Sequence, residues 1–107
     1  MRSEKVKNMI DIINYMDIKD KLRLAICIGS SHYNILYDKK DIYEMYDKKL
    51  REIDDYYRTT HINMSKYKLV TFAMAKIMEM SEDEQNQVVL YLVNSIDYEI
   101  SKKKQAI

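Results

Sequence analysis

The chain has 107 residues, of which 47% are hydrophobic, and it carries a formal net charge of +1, no Pro, one Gly and one Cys. This length suits a single helical domain over residues 1–107, and the near-neutral charge excludes a global field that attracts nucleic acid or anionic membrane. The lone Cys excludes an intramolecular disulfide, and no apolar run approaches the roughly 20 residues that span a bilayer, so we expect a cytoplasmic protein without membrane contact.

Two short helices are predicted at the start of the chain. Ser3 is a suitable N-cap for a first helix ending near Met16, and Asp17 can cap a second, with Asp20 in its first turn. The apolar positions of the first helix recur every three or four residues, which indicates one buried stripe. These positions are Val6, Met9, Ile10, Ile13 and Met16.

The segment 23–37 admits two interpretations. As a helix it forms one continuous apolar face, with Gly29 at a close crossing of helices. As strands, residues 24–28 and 33–37 form a hairpin that turns at Gly29, Ser30 and Ser31, which would make the protein α+β. We favour the helix, because a lone two-stranded hairpin is marginal in water.

A third helix of about 20 residues is predicted from Asp38, because apolar residues recur there with the heptad spacing of a helix seam. The seam consists of Tyr43, Tyr46, Leu50, Ile53 and Tyr57. A fourth helix, capped by Asn63 or Ser65, is apolar around most of its circumference, which is typical of the central helix of a bundle.

The sequence SEDE, from Ser81 to Glu84, is a capping box that opens a fifth helix extending into the terminal lysines. Its predicted apolar stripe consists of Val88, Val89, Leu92, Val93, Ile96 and Ile100. Together these patterns predict an all-α fold, a compact bundle of about five helices. The alternative is an α+β fold with the small hairpin at residues 23–37.

Few side chains in the sequence are suited to catalysis, and their spacing is unfavourable for it. On a helix, Cys27 and His32 point about 140° apart, which is unsuitable for a nucleophile and its base. The YYRTTH segment resembles the Arg–His motif of HEPN domains, which are compact helical nucleotide-binding and ribonuclease domains, but its spacing is shorter. We therefore transfer no catalytic role and interpret Arg58 and His61 as partners of the carbonyls that end the third helix. No metal or cofactor is expected.

Tyrosine, with ten residues, is the over-represented residue type that says most about function, because Tyr is enriched at protein interfaces. Our predicted partner-binding residues are Tyr33, Tyr37, Tyr43, Tyr46, Tyr57 and Arg58. They predict a non-catalytic regulator or inhibitor that binds a protein or a second copy of itself, in the style of small anti-defence proteins encoded by phages or mobile elements. The alternatives are a nucleic-acid-binding transcriptional regulator and a minimal HEPN-like ribonuclease.

Overall fold

The computed structural model describes residues 2–31, 44–46, 48–50, 52 and 67–105. Within these ranges the chain forms five helices and no strand, which confirms the predicted all-α bundle. The helices are α1 (Glu4–Tyr15), α2 (Ile18–Ser31), α3 (positions 44–46, 48–50 and 52), α4 (Lys68–Met78) and α5 (Glu82–Gln105). Both α1 and α2 pack against α4 and α5, and α4 also contacts α5.

The predicted caps of the first two helices are confirmed. The Ser3 hydroxyl accepts a hydrogen bond from the Val6 amide at 3.3 Å, and α1 ends where Met16 adopts an extended backbone conformation. One residue later, the Asp17 carboxylate accepts from the Asp20 amide at 2.8 Å and starts α2. Each cap satisfies an amide that the helix itself leaves without a carbonyl partner, so the turn between α1 and α2 is set locally.

Helix α2 is the most enclosed helix of the described chain, because every residue from 21 to 28 is buried. Residues 23–31 are helical, so the first strand of the alternative hairpin does not form. The remainder of that segment, residues 32–37, lies outside the described residues. The helical interpretation of 23–37 is therefore confirmed as far as Ser31.

The described part of α3 agrees with the predicted seam. Tyr46 is 1% exposed and Leu50 is fully buried, whereas Met45, which precedes Tyr46, is 51% exposed. The seam positions Tyr43, Ile53 and Tyr57 lie outside the described residues. At its described positions α3 is an amphipathic helix whose buried side, with Tyr46 and Leu50, faces the core.

The prediction that the fourth helix is central is wrong. Helix α4 buries Val70, Ala73, Met74 and Ile77 and packs by this side on its neighbours, but Phe72 on its outer side is 48% exposed. Met78, in the last turn, is 63% exposed. A helix that is apolar around most of its circumference becomes central only if other helices cover every side of it. In the described chain α2 is the helix that is covered in this way. The predicted N-cap of this helix, Asn63 or Ser65, is also wrong, because α4 begins at Lys68 and its N-cap is Tyr67, which makes no side-chain capping hydrogen bond. Asn63 and Ser65 themselves lie outside the described residues.

The capping box of α5 is confirmed in both directions. The Glu84 amide donates to the Ser81 hydroxyl at 3.2 Å, and the Ser81 amide donates to the Glu84 carboxylate at 3.0 Å. Of the stripe expected from the sequence, Val88, Val89, Leu92, Val93 and Ile96 are buried, and Ile100 is partly buried against the core. A single domain over residues 1–107 stays a prediction.

Candidate functional site

An open cleft of about 830 Å³ lies along α5, beside the contacts that α5 makes with α1 and α2. We call it the polar cleft, because each of the eight side chains that line it carries a group that can donate or accept a hydrogen bond. Its lining consists of Asn14 from α1, Lys21 from α2, and Tyr91, Asn94, Ser95, Tyr98, Glu99 and Lys102 from α5. The α5 residues recur at helical spacing, so they form one stripe along the helix.

The Lys21 side chain forms the most buried part of the polar cleft. Lys21 is only 4% exposed, and its ammonium donates to the Ser95 hydroxyl at 2.9 Å and to the Glu99 carboxylate. A buried ammonium is tolerated only where partners replace its water shell. The Lys21–Glu99 ion pair meets this need and joins α2 to α5 across the cleft.

The Tyr91 side chain is held from two sides. Its hydroxyl donates to the Asn14 side-chain oxygen at 2.7 Å, which links α5 to the last turn of α1. The guanidinium of Arg2 lies 5.7 Å from the centre of the Tyr91 ring, within the range of a cation–π contact. Because the Asn14 oxygen is engaged, its amide NH₂ group is left to donate elsewhere.

The rim of the polar cleft along α5 is exposed to solvent. Tyr98 is 68% exposed, and Asn94 and Lys102 are exposed beside it on the same stripe. Tyr, Asn and Ser are the residue types that antibody loops use for contact, because they combine a flat aromatic surface with adaptable hydrogen bonding. The polar cleft therefore combines an inner part, whose side chains are fixed by internal hydrogen bonds, with an accessible rim of aromatic and polar side chains.

Among the predicted partner-binding residues, only Tyr46 falls within the described part of the chain. The other five, Tyr33, Tyr37, Tyr43, Tyr57 and Arg58, lie outside the described residues. Tyr46 is buried, so the expectation that it contributes to an exposed surface is corrected. Its hydroxyl donates to the Asp97 carboxylate at 3.0 Å, and this bond is what allows a tyrosine to occupy the core.

The environment of Tyr46 holds its hydroxyl protonated. Burial raises the pKa of Tyr46 above its ordinary value, and the hydrogen bond to Asp97 and the negative charge of that carboxylate raise it further.

The sequence analysis did not identify Tyr91 and Tyr98 as candidate contacts. The signal that was available is their spacing of seven residues with Asn94 and Ser95 between them, which places all four on one face of a helix.

Cys27 lies in the hydrophobic core of the bundle. It is 6% exposed, and burial raises the pKa of its thiol to about 11. A thiol of this kind holds almost no thiolate near neutral pH, which agrees with its interpretation as a small core residue. His32, Arg58 and His61 lie outside the described residues, so the interpretation of Arg58 and His61 stays a prediction.

Within the described ranges, no three His, Cys, Asp or Glu residues come close enough together to hold a metal ion. Among the described helices, none combines the length and the apolar character that a bilayer crossing requires. No protein-family model, no curated protein and no solved structure matches the chain. The fold and its site thus define a small all-α bundle with a polar, tyrosine-lined cleft along α5.

Proposed function

We propose that this chain is a non-catalytic protein that binds another protein through the polar cleft and thereby regulates or inhibits it. One observation carries the proposal: the exposed Tyr98 and Asn94 stand beside Lys21 and Tyr91, which internal hydrogen bonds already hold in position. Side chains that are held before binding lose little conformational freedom on binding, so their contacts contribute more to affinity.

The chemistry of the polar cleft indicates the kind of protein segment that fits it. Lys21 and Glu99 neutralise each other, so Lys102 supplies the remaining charge of the lining. The Asn94 side chain offers a donor and an acceptor together, which match the N–H and C=O groups of a peptide backbone. The proposed partner therefore presents backbone hydrogen-bonding groups to Asn94 and an acidic side chain to Lys102.

The alternative of a transcriptional regulator receives less support from the described helices. A helix-turn-helix would use α4 and α5, with the start of α5 as the part that reads the major groove. That start contains Glu82, Asp83 and Glu84, and Glu84 is occupied in the capping box. Three carboxylates at this position repel phosphate, so the protein-binding hypothesis is preferred.

The proposal is tested by installing a photo-crosslinking amino acid at position 98 in cells that naturally contain the protein. The matched control carries the same amino acid at position 15, because Tyr15 is 82% exposed and does not line the polar cleft. We expect position 98 to crosslink to one defined protein that position 15 does not capture. Equal products at both positions contradict the proposal.

The captured protein is then purified, and its affinity for the wild type and for single variants is measured. Tyr98→Ala is expected to weaken binding about tenfold or more, as truncation of an interface tyrosine does. Tyr15→Ala is expected to leave the affinity within about twofold, the range of a residue outside the contact. Unchanged binding by Tyr98→Ala, or recovery of nucleic acid with a steep salt dependence in place of a protein, would overturn the proposal.

A further inference from the structure

The outer face of α4 has a symmetry in its sequence that the proposed function does not use. Lys68, Phe72, Ala75 and Glu79 follow one another at spacings of four, three and four residues, so they form one stripe along the helix. All four are exposed. Lys68 and Glu79 lie equally far from the midpoint of this stripe, and so do Phe72 and Ala75.

This arrangement makes the stripe complementary to a second copy of itself in antiparallel orientation. A twofold axis at the midpoint brings Lys68 opposite the Glu79 of the other copy, and it does so twice. The same axis brings Phe72 opposite Ala75, so a large side chain faces a small one. Such a pairing of large and small residues allows two helices to approach closely.

The charges of α4 give a second, independent argument. Helices α1, α2 and α5 each have an acidic residue in the first turn, whereas α4 has none. Helix α4 begins at Lys68, and no side chain caps its N-terminus. Its C-cap is Glu79. A cation at the start of a helix and an anion at its end both oppose the helix dipole. In the antiparallel pair, the Glu79 of the other copy lies at the start of α4 and its Lys68 at the end, which reverses both unfavourable interactions.

Phe72 is 48% exposed, which leaves part of its apolar side chain for a second copy to cover. Phe72 borders a groove of about 250 Å³ between α1 and α4, which Met9, Ile12 and Met80 also line. Within the described ranges, Lys68 and Glu79 take part in no side-chain ion pair.

We propose that two copies of this chain associate through the outer face of α4, antiparallel, with reciprocal Lys68–Glu79 ion pairs and reciprocal Phe72–Ala75 contacts. The dimer uses a face of the bundle separate from the polar cleft. Its existence is therefore independent of the protein partner proposed above, and a dimer would present two copies of the polar cleft.

The test is a charge-reversal experiment on the full chain, read by sedimentation equilibrium over about a hundredfold range of concentration. Lys68→Glu places two carboxylates opposite each other at both ends of the contact, and Glu79→Lys places two ammonium groups there. By the twofold symmetry each substitution acts twice, so each variant alone is expected to associate about tenfold more weakly than the wild type.

An equimolar mixture of the two variants is expected to regain the affinity of the wild type. In the mixed pair the two reversed charges face each other and the two unchanged charges face each other, so both ion pairs are restored. Lys7→Glu, at an exposed position of α1, changes the net charge as Lys68→Glu does and is expected to leave association unchanged. Circular dichroism of each variant checks that the helices are intact.

Phe72→Ala is expected to weaken association, whereas Leu90→Ala, at a residue that is 54% exposed on α5, is not. Tyr98→Ala, which tests the polar cleft, is also expected to leave the dimer unchanged. A wild type that stays monomeric over the whole concentration range overturns the proposal. A mixture of the two charge variants that associates no better than either alone overturns it as well.

Discussion

The hydroxyl of Ser3 donates a hydrogen bond to the carboxylate of Glu84, a residue 81 positions further along the chain. Ser3 is also the N-cap of α1, and Glu84 belongs to the capping box of α5. The two caps are thus one connected group, because one carboxylate oxygen of Glu84 accepts from the Ser3 hydroxyl while the other accepts from the Ser81 amide. This link converts two local signals of the sequence into a tertiary contact.

The link predicts a pH dependence of stability that involves Glu84. Hydrogen bonds from Ser3 and from the Ser81 backbone lower the pKa of Glu84 below its ordinary value of 4.5. A lowered pKa in the folded state means that the contribution is present above about pH 4.5 and is lost as the pH falls through the folded value. Glu84→Gln should therefore flatten the acid limb of a plot of unfolding free energy against pH. Glu82→Gln, at another carboxylate in the first turn of α5, is the control, and an equal flattening by both would contradict the assignment.

Truncation of Ser3 should lower stability in a way that a neighbouring truncation does not. Ser3→Ala removes the N-cap of α1 and the donor to Glu84, and loss of an N-cap costs about 1 kcal/mol. Ser101→Ala, at an exposed serine inside α5, removes no cap and serves as the matched control. Urea denaturation of both variants at neutral pH measures the difference, and equal midpoints would show that the cap is unimportant.

The Lys21–Glu99 ion pair in the polar cleft should be detectable by a double-mutant cycle. Lys21→Met leaves the Glu99 carboxylate without its partner, and we expect a cost of about 1 to 3 kcal/mol, reduced by the partial exposure of Glu99. Adding Glu99→Leu should recover part of this loss, because no charge is then left in the contact. Denaturant unfolding of the four proteins gives the coupling energy, and simple additivity of the two substitutions would refute the pairing.

The buried hydroxyl of Tyr46 should distinguish this tyrosine from the exposed ones. Tyr46→Phe removes the hydrogen bond to Asp97 and should cost about 0.5 to 1.5 kcal/mol, whereas Tyr98→Phe should change stability by less than about 0.5 kcal/mol. Because the pKa of Tyr46 is raised, an alkaline spectrophotometric titration should show one tyrosine that ionises late. The late step should disappear in Tyr46→Phe, and its persistence would place the perturbed group elsewhere.

The thiol of Cys27 should report on unfolding. With a pKa of about 11 and a buried side chain, it should react far more slowly with a disulfide reagent at about pH 8 than the same thiol in denaturant. The raised pKa also means that the unfolded chain ionises first, so stability should fall as the pH rises from the ordinary 9.0 towards 11. Rapid labelling of the native protein would contradict the burial, and Cys27→Ala provides the blank.

Those features of the fold that depend on residues within one helical turn were accessible from the sequence. The caps at Ser3 and Asp17, the capping box at Ser81 and Glu84, and the buried stripe of α5 all form as predicted. They are predictable because a cap joins a side chain to an amide two or three residues away, and because apolar spacing marks the side of a helix that must avoid water.

The positions of the tyrosines and of the buried lysine depend on residues far apart in the chain. Tyr46 enters the core because Asp97, on another helix, accepts its hydrogen bond, and Lys21 is buried because Ser95 and Glu99 receive its ammonium. Phe72 is exposed because no described helix covers that side of α4. Periodicity shows which side of a helix is apolar, but only the packing of helices determines which sides are covered, because burial of a polar group depends on a partner that the local sequence does not contain.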